Sequence, residues 1–226
     1  RVHQWEGAQA SSQLWVVEPT NDGRVKIKSN LAGKLLEGAG LYFRDRGIQA
    51  VTTVPASQEL HGFFAKQGFF ECFTQDEHHW TPELAQKAPE TLPKMKLVNA
   101  AEYGVLREGL LSKLGHIALP MDALLYQAGC CRIDGGGMYL VGAPAGPAAL
   151  CAEGTGDKTL LVKELIGSSE AVDQIAAVLP QLLPKFGGTY RTLGDSVPFG
   201  MMKWLSPELD AAWDRDIRAY LGLAFD

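Results

Sequence analysis

The sequence lacks the features that would assign it to a membrane, secreted or nucleic-acid-binding class. No uninterrupted apolar run approaches the roughly 20 residues that a spanning helix needs, and no apolar stretch follows a basic start as in a signal peptide. Positive charge is not in excess, since 21 Lys and Arg stand against 26 Asp and Glu. We therefore expect a cytoplasmic protein that binds neither a membrane nor nucleic acid.

Cysteine is scarce, and its spacing matches no disulfide or metal pattern. The chain has four cysteines, which are Cys72, Cys130, Cys131 and Cys151. They form no C-x-x-C pair, and adjacent cysteines cannot readily bridge each other, so we expect buried thiols rather than a disulfide framework or a zinc knuckle. His78 and His79 are also adjacent, and neighbours in sequence do not converge on one metal. No metal site is predicted.

The composition that remains is that of a globular protein. The 226 residues are 46% hydrophobic and 21% charged, which suffices for one large domain or two small ones. Charge is unevenly distributed, because residues 1–96 carry 11 basic and 11 acidic side chains whereas residues 97–226 carry 10 and 15. An anion-binding site is therefore expected in the first half.

The first half alternates between strand and helix patterns. The apolar run QLWVVEP predicts a buried strand. After the basic stretch TNDGRVKIKSN, apolar residues recur at helical spacing in LAGKLLEGAGLY, with Ser29 or Asn30 as the N-cap and Gly47 as a left-handed C-cap. The strand IQAVTTV, the helix SQELHGFFAKQ capped by Ser57 and the strand FFECFT follow. This order predicts an α/β layer.

A connecting segment separates the two halves. Residues 75–96 hold three prolines in a polar, non-periodic setting, which is typical of an inter-domain connection. We therefore place one domain at 1–80, a linker at 81–96 and a second domain at 97–226.

The second half repeats the mixture of helices and strands. Helices are predicted over about 100–114 and 121–128, followed by the strands GGMYLVGAP, AALCAEG and TLLVKELIG. A helix capped by Ser168 or Ser169 should then stop or kink at Pro180. GTYRTLG and FGMMKWL predict two closing strands, and ELDAAWDRDIRAYLG predicts a last helix.

The junction from Val16 to Lys34 is the most informative segment for function. A strand that leads through a polar loop into a helix brings unpaired backbone N–H groups and the positive end of the helix dipole together, an arrangement that binds pyrophosphate. The segment also carries four cations, which are Arg24, Lys26, Lys28 and Lys34, and no acid lies between Gly23 and Leu36. It therefore predicts an anion site, with a solvated basic loop as the alternative.

The order of these parts resembles the GNAT superfamily of acyl-CoA-dependent N-acetyltransferases. NLAGKLLEGAGLYFRDRGIQAV is similar to the loop, helix and strand of that family, and PASQELHGFFAKQGFFECF is similar to its terminal part. LLVKELIG and PFGMMKWL resemble the C-terminal signature of a bacterial subset with a second GNAT-like half. The resemblance implies an α/β fold of tandem GNAT-like domains, with mixed central sheets flanked by helices. The first domain is expected to be incomplete at its N-terminus, because only Arg1–Gln13 precede its central strand.

The resemblance also implies a co-substrate and a reaction. Acetyl-CoA would supply an acetyl group that passes directly to an amine of a small molecule or peptide. The residues assigned to acetyl-CoA on this basis are Val16, Val17, Lys28, Ser29, Asn30, Leu31, Ala32, Gly33 and Lys34. The backbone of Val17 would polarise the thioester carbonyl, and the start of the helix would hold the pyrophosphate.

Two departures from the family pattern favour an alternative without turnover. Asn30 stands where the family has glycine, and Phe64 aligns with the tyrosine that acts as general acid in many members. A phenyl ring has no proton to donate. The alternative is therefore a degenerate GNAT-fold binding or structural module. If an active site is assembled from both halves, other general acids are available at Tyr103, Tyr126, Tyr139 and Tyr190.

Three residues are candidates for the group that removes a proton from the acceptor amine. Glu18 ends the first-domain strand, and Glu164 lies in TLLVKEL, where apolar neighbours would raise the pKa of a carboxylate. His61 lies beside Phe64 on the short helix. Their alternatives are solvent-facing carboxylates and a partly exposed surface histidine. A third possibility places the working site in the second half, near Glu164 and Gly167.

Overall fold

The computed structural model describes the backbone of residues 2–5, 9–12, 18–19, 25–26, 29–82, 92–133 and 135–224, with side chains from residue 32 onward. This part of the chain divides into two compact units. Unit 1 takes its residues from 1–73 and 199–217, and unit 2 takes its residues from 74–198 and 218–224.

Helices and strands alternate along the described residues. The strands are β1 (Val2–Trp5), β2 (Gln9–Ser12), β3 (Glu18–Pro19), β4 (Val25–Lys26), β5 (Ala50–Thr53), β6 (Phe70–Trp80), β7 (Lys94–Leu97), β8 (Gly137–Ala143), β9 (Gly146–Gly156), β10 (Thr159–Ile166) and β11 (Gly187–Trp204). The helices are α1 (Ser29–Arg44), α2 (Gln58–Lys66), α3 (Ala100–Leu111), α4 (Met121–Ile133), α5 (Ser169–Ala176), α6 (Leu179–Leu182) and α7 (Pro207–Ala212).

In unit 1, α1 ends as its sequence predicts. Gly47, just after the helix, adopts a φ of 76°, and the Ile48 amide donates to the Phe43 carbonyl oxygen at 3.1 Å. This is a left-handed glycine cap, in which an amide beyond the helix donates to a carbonyl oxygen of the last turn that has no amide partner within the helix. Ser29 and Asn30 are the first two residues of α1 itself.

The predicted cap of α2 is only partly confirmed. Ser57 precedes the helix in the extended conformation of an N-cap residue, but its side chain makes no cap hydrogen bond. Its hydroxyl instead donates to Glu59 Oε2 at 3.3 Å. Gly68 ends the turn after α2 with a φ of 85°, as a glycine at a helix end allows.

Apolar side chains around β5 form the core of unit 1. Its buried members are Phe43, Ile48, Val51, Phe69, Met201 and Leu205. β5 pairs antiparallel with residues 201–204 of β11, and it pairs parallel with β2 through Ser11 and Thr52. The last part of β11 is therefore an integral strand of unit 1.

Unit 2 is built on a mixed sheet with a bulge in β10. Antiparallel ladders join β7 to β8, β8 to β9 and β9 to β10, and β10 runs parallel to the first part of β11. The β9–β10 ladder shifts register between Val162 and Glu164, so Lys163 is a bulge residue. The bulge lies in the strand that the residue pattern of TLLVKELIG predicts.

Helices cover both faces of the sheet in unit 2. Successive residues of a strand point to opposite faces, and buried Leu150 belongs to the cluster of Ile175 on α5 whereas buried Cys151 belongs to the cluster of Tyr103 and Leu124 on α3 and α4. The sheet is thus the middle layer of a three-layer α/β unit.

Two strands are longer than predicted, which changes the domain boundaries. β6 continues through Trp80, so residues 75–80 are strand rather than connection, and the two predicted closing strands form one continuous β11. β6 pairs with β11, and Asp76 in this polar segment accepts hydrogen bonds from the Ser196 amide and hydroxyl. Residues 199–217, which we predicted to lie in the second domain, belong to unit 1.

Two predicted helix ends are wrong. Pro180 does not stop α5 but lies in the first turn of α6, where the missing N–H has no intrahelical role. The last helix, α7, ends at Ala212, and Trp213 is already extended, with φ −75° and ψ 124°. No helix in the described ranges is long and apolar enough to cross a membrane. The cytoplasmic location stays a prediction.

Candidate functional site

The start of α1 is the predicted anion site, and the structure describes part of it. α1 begins at Ser29 and has no acidic residue in its first turn. The first amides of a helix lack intrahelical acceptors and lie at the positive end of its dipole. Lys34 is exposed on the second turn, whereas Ala32 and Gly33 are half-buried. The described part of this helix end is thus electrostatically suited to an anion.

Several residues assigned to acetyl-CoA lie outside the described part of the chain. Val16, Val17 and Lys28 are not described, and Ser29, Asn30 and Leu31 are described only as backbone of α1. The role of these residues stays a prediction.

Gly33 contacts the turn that follows α2. A Cβ at Gly33 would lie 3.1 Å from Gln67 Oε1, which is closer than most side chains tolerate. The Gln67 carbonyl oxygen accepts a hydrogen bond from Lys203 Nζ at 2.9 Å. The small size of Gly33 therefore serves the packing of α1 against this turn. The resemblance, which assigns Gly33 to acetyl-CoA binding, did not predict this contact.

Phe64 belongs to the core of unit 1. Its ring contacts Phe69 and Phe63 in edge arrangements, each with 5.3 Å between ring centroids. The position that carries a tyrosine in many GNAT enzymes is therefore an apolar packing position here, and it offers no proton to a leaving thiolate.

His61 is buried and paired. The residue is 7% exposed, and its Nδ1 lies 3.1 Å from Glu71 Oε1, whose side chain reaches solvent. The alternative of a partly exposed surface histidine is therefore wrong. A histidine held by a carboxylate is oriented and can exchange a proton through that partner.

Glu18 is described only as backbone. It pairs with Lys26 in the short antiparallel ladder between β3 and β4, and residues 13–17 of the predicted strand QLWVVEP lie outside the described residues. Its role as a base stays a prediction.

Glu164 lies in a buried polar cluster of unit 2. The carboxylate accepts hydrogen bonds from the Tyr103 hydroxyl at 2.7 Å, from Arg107 Nε at 3.1 and 3.2 Å, and from the Tyr220 hydroxyl at 3.3 Å. The predicted apolar surroundings are therefore wrong, because a cation and two hydroxyls from distant segments meet the side chain. We call Tyr103, Arg107, Glu164 and Tyr220 the Glu164 cluster.

Arg107 satisfies its remaining donors on two loop carbonyls and on the neighbouring Glu108, whose Oε1 accepts from Nη1 at 3.3 Å. Nη1 donates to the Ile117 carbonyl oxygen at 2.9 Å, and Nη2 donates to the Leu221 carbonyl oxygen at 3.2 Å. Burial, with the Glu164 charge as the second cause, raises the pKa of both Tyr103 and Tyr220 well above the ordinary value. The two phenols stay protonated and donate to the carboxylate.

The bulge turns Lys163 into the same interior as Glu164. Lys163 Nζ lies 2.9 Å from the Ala224 carbonyl oxygen and 3.1 Å from Glu153 Oε2. Gln127 Nε2 donates to the same Glu153 oxygen at 2.7 Å. Two consecutive charged residues of β10 thus hold the segment 218–224 against the sheet, which is a structural role.

The start of α5, the third predicted site, is unsuited to an anion. The Ala171 amide already donates to the Ser168 hydroxyl at 3.2 Å, and Glu170 places a negative charge in the first turn. A Cβ at Gly167 would lie 3.1 Å from Ala148 Cβ, so β9 closes against this turn. The electrostatic contrast favours α1 over α5.

Sequence reasoning missed Arg107 as the partner of Glu164. Tyr103, Arg107 and Leu111 recur every four residues on the buried face of α3. An arginine in such an apolar stripe needs a buried carboxylate, and this signal was present in the sequence.

No family profile and no curated protein matches the sequence. Among solved structures, the chain is similar to a GCN5-related N-acetyltransferase from Anabaena variabilis, with a TM-score of 0.57 and 12% identity over 88% of this chain and 55% of that one. A GCN5-related N-acetyltransferase from Kribbella flavida gives 0.55 and 13%, over 87% and 53%. Eis1 from Mycobacterium abscessus gives 0.52 and 13%, over 90% and 58%.

These likenesses confirm the predicted fold. The chain spans about half the length of the structures that it resembles, and at this identity the likeness concerns the fold alone. The described chain has the mixed α/β fold of the GCN5-related N-acetyltransferases, with helices on the faces of its sheets.

Proposed function

We propose that this chain is an acyltransferase that moves the acetyl group of acetyl-CoA to an amine of a small molecule or peptide. One observation carries the proposal. In a fold shared with N-acetyltransferases, α1 begins at Ser29, near the end of the basic stretch TNDGRVKIKSN, and has no acid in its first turn. A helix start of this kind favours the pyrophosphate of a nucleotide thioester.

The proposed cofactor site consists of the segment before α1 and its first two turns. Lys28 and Lys34 supply positive charge, the first amides of α1 hold the pyrophosphate, and the backbone at Val16 and Val17 receives the thioester. Acetyl-CoA supplies the activated acetyl group, and the chain's own residues bind and orient it.

The three candidate bases differ in how well their surroundings suit proton removal. Glu164 has no exposed surface and is engaged by Arg107, so protonation there would remove the buried charge that pairs with Arg107 Nε. We therefore assign Glu164 to structure and propose His61, which is linked to the exposed carboxylate of Glu71, or Glu18 as the base.

The second candidate function is a GNAT-fold module that binds without turnover. Phe64 is the observation that favours it, because the ring is packed against Phe63 and Phe69 and carries no proton. The tandem arrangement and the cytoplasmic location are compatible with either function and belong to the proposal.

Isothermal titration calorimetry with acetyl-CoA tests the proposed site. We expect saturable heat for the unaltered chain and loss of that heat in the double variant Lys28→Glu and Lys34→Glu. Lys113→Glu makes one such charge reversal at an exposed position after α3 and should bind as the unaltered chain does. Absence of heat from a folded, unaltered chain at millimolar ligand would exclude the proposal.

Release of free CoA separates the two candidate functions. A chain that binds acetyl-CoA and releases CoA only when amines are added is an enzyme. A chain that binds acetyl-CoA, or a partner, without any release across a broad panel of amines is a binding module.

A further inference from the structure

Helices α3 and α4 of unit 2 carry large apolar side chains on their outer faces as well as on their inner faces. In a surface helix the apolar side chains normally lie on the face that is turned to the core. Their inner faces are indeed buried, through Tyr103 and Leu111 on α3 and through Leu124 on α4. Their outer faces expose large apolar side chains, with Val105 on α3 and Ile133 on α4 both 78% exposed. A face of this composition is one that a partner covers.

The two helices pack closely against each other. Gly104 of α3 is buried, and a Cβ at this position would lie 2.7 Å from Leu124 Cδ1 of α4. At the start of α3, Asn99 Oδ1 accepts from the Glu102 amide at 2.9 Å, and Glu102 Oε2 accepts from the Asn99 amide at 3.0 Å. The exposed face is therefore presented by packed and capped helices.

The exposed side of α4 is complementary to itself. Gln127, at the middle of the helix, is buried and marks the side away from solvent. Residues at equal distances before and after Gln127 form matched pairs, which are Met121 with Ile133, Asp122 with Arg132, and Leu125 with Gly129. At 3.6 residues per turn these six residues share the outer side of the helix.

Charge selects an antiparallel arrangement of two copies of α4. In such a pair, related by a two-fold axis near Gln127, each residue lies level with its match, so Asp122 of one copy lies level with Arg132 of the other. A parallel arrangement would instead bring Asp122 to Asp122. Both side chains are exposed, and Arg132 Nε is held by the Ala128 carbonyl oxygen at 3.1 Å.

Shape points to the same arrangement. Leu125 is 55% exposed and projects from the outer side of α4, whereas a Cβ at Gly129 would meet no atom within 4 Å. In the antiparallel pair, Leu125 of each copy lies level with the open space over Gly129 of the other. A large apolar side chain thus faces a gap, and the two-fold symmetry makes this contact occur twice in the pair.

We propose that the outer side of α4 is a docking surface for a second copy of this chain, which forms a symmetric antiparallel dimer. The inference is independent of the proposed acetyl transfer. A helix of this length spans ~20 Å, so the interface is small and the dimer should dissociate at micromolar or lower concentration.

Sedimentation equilibrium of the full chain, from micromolar to submillimolar concentration, tests the dimer. Asp122→Arg and Arg132→Asp should each weaken the association constant by about tenfold or more, because like charges then lie level. The double exchange Asp122→Arg and Arg132→Asp should restore association. Nonspecific hydrophobic association of an apolar face would not produce this result.

Substitution at Gly129 gives a second test, in which circular dichroism checks the fold of the variant. A Cβ at Gly129 meets no atom within 4 Å in one copy, and the ring of Gly129→Phe would occupy the space that Leu125 of the other copy needs. We expect a folded monomer. Gly62→Phe in α2 is the matched control, since a Cβ there also meets no atom within 4 Å, and it should dimerise normally.

Two outcomes would overturn the proposal. One is an unaltered chain that remains monomeric over the whole concentration range, which would mean that this face has another occupant. The other is a dimer whose association constant is unchanged by Gly129→Phe and by the single charge reversals, while circular dichroism shows all variants folded.

Discussion

Arg107 Nε lies 3.1 Å from Glu164 Oε1 and 3.2 Å from Glu164 Oε2, and neither side chain has exposed surface. The contact joins α3 to β10 across 57 residues of sequence. Because both side chains are fully desolvated, the loss of Arg107 leaves the Glu164 carboxylate in the interior without its ion-pair partner.

Replacement of Arg107 by Met should destabilise unit 2 by about 3 to 5 kcal/mol, the usual cost of leaving one partner of a buried ion pair alone. Urea unfolding followed by far-ultraviolet circular dichroism measures the change. Lys96→Met is the control, because the Lys96–Glu102 ion pair is exposed and should matter far less. Equal losses of unfolding free energy in the two variants would contradict the inference that burial makes the Arg107–Glu164 ion pair the more important one.

Gly222 and Gly47 allow a matched comparison of two left-handed glycines. Their φ angles are 71° and 76°, so both disfavour a side chain to a similar degree. A Cβ at Gly222 would overlap Glu164 and lie 2.8 Å from Arg107 Nη2, whereas a Cβ at Gly47 would meet no atom within 4 Å.

We expect Gly47→Ala to cost about 1 kcal/mol from backbone conformation alone and Gly222→Ala to cost several times more, because it also displaces the Glu164 cluster. Thermal or urea unfolding of both variants provides the comparison. A Gly222→Ala chain no less stable than Gly47→Ala would show that the cluster accommodates a methyl group.

Alkaline pH should weaken unit 2 through Tyr103 and Tyr220. Burial is the main cause that raises the pKa of each phenol, and the Glu164 charge adds to it. A group whose pKa is raised by folding contributes its stability below its unfolded pKa, which for tyrosine is about 10. That contribution is lost as pH rises from there through the folded pKa.

The free energy of unfolding should therefore fall with rising pH above about 10, and Tyr103→Phe should reduce the slope. Tyrosinate absorbance recorded along the titration should show that these two phenols ionise only as the chain unfolds. Their ionisation in a chain that keeps its native circular dichroism would contradict the buried placement.

Thiol reactivity should follow burial. Cys72, Cys131 and Cys151 are buried, whereas Cys130 is intermediate in exposure. Ellman's reagent should therefore modify Cys130 first in the native chain and the others only on unfolding, since access limits a buried thiol. Cys130→Ser should remove the fast phase, and persistence of that phase would indicate that a buried cysteine becomes accessible.

Local sequence signals predicted most elements because the residues that define them are close together in the chain. Apolar spacing and Gly47 located α1, and Ser168 capped α5 as expected, accepting from the Ala171 amide. The strands β8, β9 and β10 also lie where alternating and β-branched runs predicted them. Patterns of this kind act within a few residues.

The remaining features depend on contacts between distant segments. The length of β11 follows from pairing with β10 at one end and with β5 at the other, which composition does not encode. The surroundings of Glu164 depend on Arg107 and Tyr220, each more than fifty residues away. The bulge at Lys163 likewise depends on the register of β10 against β9, and no local sequence motif predicts it.

Unit 1 is built from two separate stretches of the chain, which limits how the molecule can be divided into fragments. A fragment ending at residue 80, the boundary that sequence alone suggests, would lack Met201 and Leu205 and would strip β5 of its antiparallel partner. Such a fragment would expose an unpaired strand edge next to a half-empty apolar core and should precipitate. Any attempt to study the first unit in isolation must carry the returning strand with it, joined by a designed linker.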